Sequence, residues 1–548
     1  MRVEKYVSGI IPLLLALIMI PALFSGCRSD SGDKILRFGG TGIDGKFNPI
    51  LSDTVYDNYI VDMLFEALMD VDAEGQFIPV ICTYTLSDDQ KTYTFTLKDG
   101  IKFSDGKPMT SEDVAFTYLT VAHPDYSGPR AYAVSRMAGY GAYHDGAADH
   151  FEGIKVIDDK TISFTFDTAS PANINCFIYG IMSKSHYAFD RWEDFMDLAA
   201  NPVGSGRLVL DAYEPKQYVR LNKNAAYWDA ETALKIDGVL ISEVPTESLM
   251  GAMQTNQIDF CQPDANPDNY NAYADMSGVT TRTFLGNGYT YMCFNTARDK
   301  LSDVRVRQAL MHALDRKTFI ETEYGADLAS PGMAPISPAS WAYPDEGSMN
   351  DYAFDMTKAE ELMRGAGWEK GADGFLEKDG ERFTLNWLVY TDAKWPQTLS
   401  GMAADTWKQL GVDLKIELMD FVTVRSRTMD PEPEDKDFDV FTMGFTLDAE
   451  PDPSGALFDY DAYVKGGFNA SGYYNERAQE LIALGRKEFD TAKRAEVYKE
   501  WAGIMNDQIP CVIIANRKEL WVVNDRIKGF ENNTFQNWVR FLPNITIE

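Results

Sequence analysis

The chain has 548 residues, of which 45% are apolar and 13% aromatic, enough to offset the ordering entropy of a globular fold; this excludes a disordered polymer. Its formal charge of −32 excludes nucleic acid and anionic lipid surfaces as principal partners, because both require a basic footprint. An acidic exterior suits a solvated extracellular surface first and a cationic ligand second.

The first element reads as an export signal. Arg2 and Lys5 supply a positive start, residues 10–24 form an unbroken apolar run, and Ser25-Gly26-Cys27 is a small-small-Cys junction. The run is shorter than the roughly 20 residues that span a bilayer, and none like it recurs. The junction resembles that of bacterial lipoproteins, with Phe24 where leucine is usual. That resemblance implies a mature chain starting at Cys27 and lipid-anchored through its thiol, facing the extracellular side or the periplasm. An ordinary secretory signal with a chance cysteine is the alternative. The remaining length exceeds what one hydrophobic core usually organises, so two or three domains are expected.

Residues 35–38 read as a strand entering a Gly-rich turn at Gly39-Gly40-Thr41-Gly42. No Gly-Lys-Ser/Thr follows, so the turn is not a phosphate loop. A helix is expected from Val55 to Met69, with Ile60, Met63, Leu64, Ala67 and Leu68 on one face. Between Thr92 and Leu97 apolar side chains alternate, which predicts a strand with one buried face. Asp99-Gly100 predicts a hairpin turn into Ile101-Lys102-Phe103. Thr110 and Asp113 form a capping-box-like start for a helix over Ser111 to Thr120.

The run FTLKDGIKFSDGKPMTSEDVAFTY closing this stretch resembles the signature region of family 5 extracellular solute-binding proteins, the peptide- and nickel-binding components of ABC importers. Residues 202–228, PVGSGRLVLDAYEPKQYVRLNKNAAYW, resemble the family's glycine-rich turn and following hairpin. DVRVRQALMHALDR at 303–316 and TKAEELMRGAGW at 357–368 resemble its helices in the second lobe, and QLGVDLKIEL at 409–418 its helix-to-strand step. The spacing itself predicts a helix over Ser302 to Arg316 that buries Val306, Leu310, Ala313 and Leu314, with Arg305 and Gln308 elsewhere, and a C-cap at Gly367.

The resemblance implies a two-lobed α/β fold of the periplasmic-binding-protein type (type II, cluster C) with an extra subdomain inserted in the first lobe. Its expected divisions are a signal at 1–26, first lobe at 27–79 and 202–290, insert at 80–201, second lobe at 291–519, and a return to the first lobe at 520–548. It implies capture of a solute, most often a peptide, by hinge closure and delivery to membrane permease subunits, by a monomer that needs no cofactor and is not an enzyme. A sensing lipoprotein, a binder of oligosaccharide or nickel chelate, and a secreted hydrolase are the competing readings.

Catalytic motifs are missing. Ser205 in Gly204-Ser205-Gly206 lacks the spacing of a nucleophile elbow, and no HExxH occurs. His144-Asp145 and Asp149-His150 lie in a glycine- and alanine-rich stretch that reads as an exposed loop rather than a metal site. Residues 431–437 lack the glycine and closing Glu of a calcium loop. Cys82, Cys176, Cys261, Cys293 and Cys511 form no close pair; burial as small apolar side chains is expected for most, and a single bridge between Cys82 and Cys176 is compatible with the sequence.

Aromatic clusters such as Tyr289-Thr290-Tyr291 and Tyr473-Tyr474 read either as core or as pocket walls. Peptide-binding members of the family resemble one another in a Gly-Trp-x-x-Asp motif followed by Asp/Glu-Pro, whose first aspartate meets the ligand's amino group. The match here is Gly444-Phe445-Thr446-Leu447-Asp448 and then Asp452-Pro453, with Phe445 in place of tryptophan and one extra residue in the spacing. The resemblance makes Asp448 the candidate ammonium partner, with Phe445 and Asp452 of the same segment as further ligand-binding candidates; Tyr289 and Tyr291 are candidates from the aromatic cluster alone. A polar turn set by Pro451 and Pro453 is the plain alternative.

Overall fold

A computed structural model describes residues 34–345, 347–452 and 457–548. Cys27 and the apolar run before it lie outside the described residues, as does Pro453. In the first lobe the strand Ile35–Gly40 buries Leu36 and Phe38 completely and lies parallel to both Gly238–Glu243 and Phe260–Cys261. Tyr218–Lys223 and Leu208–Glu214 extend this sheet in antiparallel fashion. Phe38 stacks on Phe260 at 4.7 Å, and Trp538 from the C-terminal segment meets Phe260 edge-on at 4.9 Å. Asp259 is fully buried and held by Arg37 at 2.8 Å and by Arg526 at 2.9 Å, which fastens the chain's last segment to its first strand.

The inserted subdomain is a four-stranded sheet in the order Cys82–Leu86, Thr92–Leu97, Thr161–Thr165, Ile154–Val156. Alternation along Thr92–Leu97 buries Tyr93, Phe95 and Leu97, as the pattern predicts. Helix Ser111–Val121 begins with the expected capping box between Thr110 and Asp113.

In the second lobe, Gly288–Phe294 pairs antiparallel with Val440–Thr446 on one side and with Cys511–Ala515 on the other. Beyond Val440–Thr446 the strands Thr384–Tyr390 and Asp413–Met419 run parallel. Trp387 stacks on Trp407 of helix Trp395–Leu410 at 5.2 Å, and that helix ends at Gly411 with φ +102 before the strand begins, the step expected at 409–418.

One strand serves both lobes. Cys511–Asn524 is 14 residues long; its start pairs with Gly288–Phe294 and its end with Val279–Leu285 and Phe260–Cys261. The second connection between the lobes is the short passage from Leu285 to Gly288, where Gly286 N–H donates to the Arg517 carbonyl at 2.9 Å. The junctions expected at 290/291 and 519/520 both lie within continuous strands.

Four local expectations are corrected. The first helix is Val55–Leu64 and stops short of Met69, because Phe65 is extended and Gly204 and Gly206 press against the carbonyls of Leu64 and Met63 where no Cβ would fit. The hairpin partner of Thr92–Leu97 is the preceding strand; after Asp99-Gly100 only an isolated bridge, Lys102 to Pro108, forms. The helix expected over 302–316 is broken into Asp299–Ser302, Val304–His312 and Arg316–Glu323, since Asp315 caps a new helix through Thr318 N–H, although Val306, Leu310, Ala313 and Leu314 are all fully buried. The disulfide is Cys293–Cys511, two residues directly opposed in adjacent strands, while Cys82, Cys176 and Cys261 are free and buried.

Candidate functional site

The strands Gly288–Phe294 and Val440–Thr446 place Tyr289 directly opposite Phe445, and their rings stack at 5.7 Å with planes 20° apart. The chain then leaves the sheet. Asn287 holds it there: its Nδ2 donates to the Leu447 carbonyl at 2.6 Å and its own carbonyl accepts from Leu447 N–H at 3.0 Å. This clamp presents the next residue, Asp448, beyond the edge of the second lobe.

Asp448 is reached by solvent, yet it is flanked by enough protein that desolvation raises its carboxyl above the ordinary aspartate value. It has no hydrogen-bond or ion-pair partner among the described residues. Its charge reaches Tyr132 of the inserted subdomain. Burial raises the Tyr132 phenol, Arg130 pulls it down, and the Asp448 charge raises it again. A carboxylate of the second lobe and a phenol of the inserted subdomain therefore lie within electrostatic reach of each other. Behind Tyr132, its ring meets Tyr179 at 5.9 Å and the Arg130 guanidinium lies 4.9 Å from the Tyr179 centroid, with Arg130 Nη2 donating to Asn58 Oδ1 at 3.1 Å.

Two further acids follow Asp448, and their situations differ. Glu450 forms a two-pronged ion pair with Arg494 at 2.6 and 3.0 Å, and Arg494 also donates to the Gly485 carbonyl at 2.8 Å. Burial opposes the Arg494 charge and Glu450 more than offsets it, so the guanidinium stays protonated. Glu450 is therefore occupied. Asp452 donates its N–H to Glu450 Oε1 at 3.1 Å and sits near the same guanidinium.

Next to Asp448 is a cavity of about 200 Å³ whose walls include Tyr289, Ile336, Phe445, Leu447 and Phe458. Asp452 also lines it. Of the residues singled out from sequence, Asp448, Phe445, Asp452 and Tyr289 are brought together here. Tyr291 is not: it is 1% exposed and packs edge-on against Phe441 in the core. Tyr473 is buried in the core and Tyr474 is on the surface against Tyr460. Sequence reasoning missed Tyr132, which carries no motif, and Arg494, whose partner lies 44 residues earlier.

No group of three His, Cys, Asp or Glu side chains able to hold a metal occurs among the described residues. His144 Nδ1 instead lies 3.2 Å from the Ala122 carbonyl. Within 431–437, Lys436 is buried and donates to the Thr428 carbonyl, and Asp437 pairs with Arg427, so the segment is pinned by protein contacts.

The family model for bacterial extracellular solute-binding proteins, family 5 Middle, matches residues 76–466. The dipeptide-binding protein of Escherichia coli (strain K12) is 27% identical, over 97% of this chain and 97% of its own length. The oligopeptide-binding protein AppA of Bacillus subtilis (strain 168) is 25% identical over 90% and 91%. In fold, the chain is similar to the ABC transporter substrate-binding protein CtaP of Listeria monocytogenes, with TM-score 0.76, 23% identity and 94% and 100% of the two chains covered. The unliganded open form of the murein tripeptide-binding protein MppA has TM-score 0.77 at 21% identity, covering 94% and 98%.

Proposed function

Since this chain belongs to the bacterial extracellular solute-binding proteins of family 5, we propose that it is the substrate-binding lipoprotein of an ABC importer and captures peptides by their free amino end. The observation that carries this reading is Asp448, a carboxylate on the second lobe with no partner among the described residues, whose charge reaches Tyr132 of the inserted subdomain. Closing the cleft removes water from that carboxylate. A buried charge without a counter-charge is costly, and a peptide ammonium supplies one. Relatives named for dipeptide and oligopeptide binding point to the same ligand class. The ligand is released unchanged, and its transport depends on membrane permease subunits.

A ligand that binds only the folded form stabilises it by RT ln(1 + [L]/Kd), about 2.7 kcal/mol at a hundredfold excess over Kd. Free-amine tripeptides are expected to raise the melting temperature and to shrink the scattering radius as the lobes close. N-acetylated tripeptides that stabilise the protein equally would overturn the ammonium reading. Recovery of hydrolysed peptide after denaturation would instead indicate an enzyme.

Anchoring rests on Cys27. Its acyl chains each contribute about 0.8 kcal/mol per buried methylene, so a dually acylated cysteine holds the protein on the membrane. Cys27→Ala is expected to move the protein from the detergent phase to the aqueous phase. A mutant that still partitions with detergent would rule out the lipid anchor.

A further inference from the structure

The cavity beside Asp448 has properties that the ammonium site alone does not require. Its wall residues run from Tyr289 to Phe458, all in the second lobe, so it is present before the lobes close. At about 200 Å³ it exceeds the roughly 150 Å³ that suffices for an apolar cavity to take up a benzene ring. The stacked Tyr289 and Phe445 rings form one wall, and Phe458, only 3% exposed, is braced edge-on by Trp501 at 5.4 Å. Ile336 and Leu447 add aliphatic surface.

Polar features of the cavity narrow the choice further. Ser337 lines it, is 3% exposed, and its Oγ has no hydrogen-bond partner among the described residues. A buried hydroxyl left unpaired is unfavourable, so an incoming group that meets it is favoured over one that does not. The acids Glu450 and Asp452 also line the cavity, but Arg494 lies against them: Glu450 is bound to it directly, and the Asp452 charge acts on it. That guanidinium offsets much of the attraction a basic side chain would otherwise find there.

We propose that this cavity is a selectivity pocket for the first side chain of the peptide, taking an aromatic ring and preferring a phenol whose hydroxyl meets Ser337. The inference rests on the peptide reading given above, and adds to it that the ligand's identity is decided by what lies next to its ammonium. Tyr289 and Phe445 are held in adjacent strands and Phe458 is braced by Trp501, so a ring meets aromatic walls already in place, with little ordering cost.

The test is a titration of the wild-type protein, freed of co-purified ligand by unfolding and refolding, with Tyr-Ala-Ala, Phe-Ala-Ala, Ala-Ala-Ala, Lys-Ala-Ala and N-acetyl-Phe-Ala-Ala. Phe-Ala-Ala is expected to bind about tenfold or more tighter than Ala-Ala-Ala, as filling an apolar pocket commonly yields. Tyr-Ala-Ala should bind at least as well as Phe-Ala-Ala, and Ser337→Ala should weaken the tyrosine peptide while leaving the phenylalanine peptide unchanged. Thr446→Trp, which narrows the pocket from the solvent side of its lining, should collapse the Phe-to-Ala ratio towards one. A Phe-to-Ala ratio below about twofold in the wild type, or tighter binding of Lys-Ala-Ala than of either aromatic peptide, overturns the pocket while leaving the ammonium site standing. If no free-amine peptide binds, or the acetylated one binds equally, the peptide reading falls and the pocket proposal falls with it.

Discussion

Asp448→Asn is expected to weaken the binding of a free-amine peptide by about 2–5 kcal/mol, the range for removing one member of a desolvated charge pair. The Asn side chain occupies the same space, so the loss comes from the ligand ammonium left in a closed cleft without a counter-charge. The wild type should discriminate strongly against an N-acetylated peptide, and the mutant hardly at all. Calorimetric titration of both proteins with both peptides gives the coupling directly. Equal affinities of mutant and wild type for the free-amine peptide would move the ammonium to Asp452 or remove peptides as the ligand class. The pH dependence has a definite sign. Desolvation raises the Asp448 carboxyl above its ordinary value, so lowering the pH protonates it earlier than an exposed aspartate and affinity falls through that raised range. In the free protein the same shift acts on stability the other way. Because the folded form holds its proton more tightly than the unfolded form, Asp448 favours folding at low pH, and that contribution is lost as pH rises.

Glu450→Gln is expected to destabilise the fold by about 3–5 kcal/mol, the usual cost of leaving one partner of a buried ion pair uncompensated. Arg494 is 4% exposed at its side chain and Glu450 9%, so neither can turn out to water. The rings of Tyr498 and Trp341, with centroids 5.2 and 5.7 Å from the guanidinium, close the space around it. Replacing both partners together, by Leu at 450 and Met at 494, should cost less than the single change, because no charge is then stranded. Urea denaturation of the three proteins checks the order. A single mutant as stable as the wild type would show that Arg494 is held by the Gly485 carbonyl and its rings rather than by Glu450.

Local chemistry made part of this fold legible. Alternation along Thr92–Leu97 and the Thr110/Asp113 capping box report on neighbours within a few residues, and both are present in the structure. Gly204 and Gly206 were readable as a turn but not as the reason the helix ends at Leu64, because the residues they touch are some 140 positions earlier. Distance along the chain hid the disulfide as well: Cys293 and Cys511 are 218 residues apart and meet only because their strands are neighbours. At the site, the Asp448 segment stood out through its family resemblance, whereas Tyr132 contributes through placement alone. Adjacency in the sequence groups Tyr291 with Tyr289, but two residues further along the same strand it packs against Phe441 within the core.

The strand shared by the two lobes has a consequence for how the molecule is made. Residues 511–524 lie near the C-terminal end of the chain, yet they occupy interior positions in both halves of the sheet. Ile35–Gly40, close to the start of the described chain, must wait for Phe260–Cys261 beside it, and that strand in turn for Val522 and Val523. Gly288–Phe294 waits for Cys511–Ala515. Neither half can complete its hydrogen bonding while the chain is still being delivered from its N-terminus, and both become able to do so within the same few residues. Such long-range pairing slows folding, since loop-closure entropy is lost before contacts form. The shared strand is thus the last piece that both lobes need, and its arrival links two separate cores through one continuous backbone.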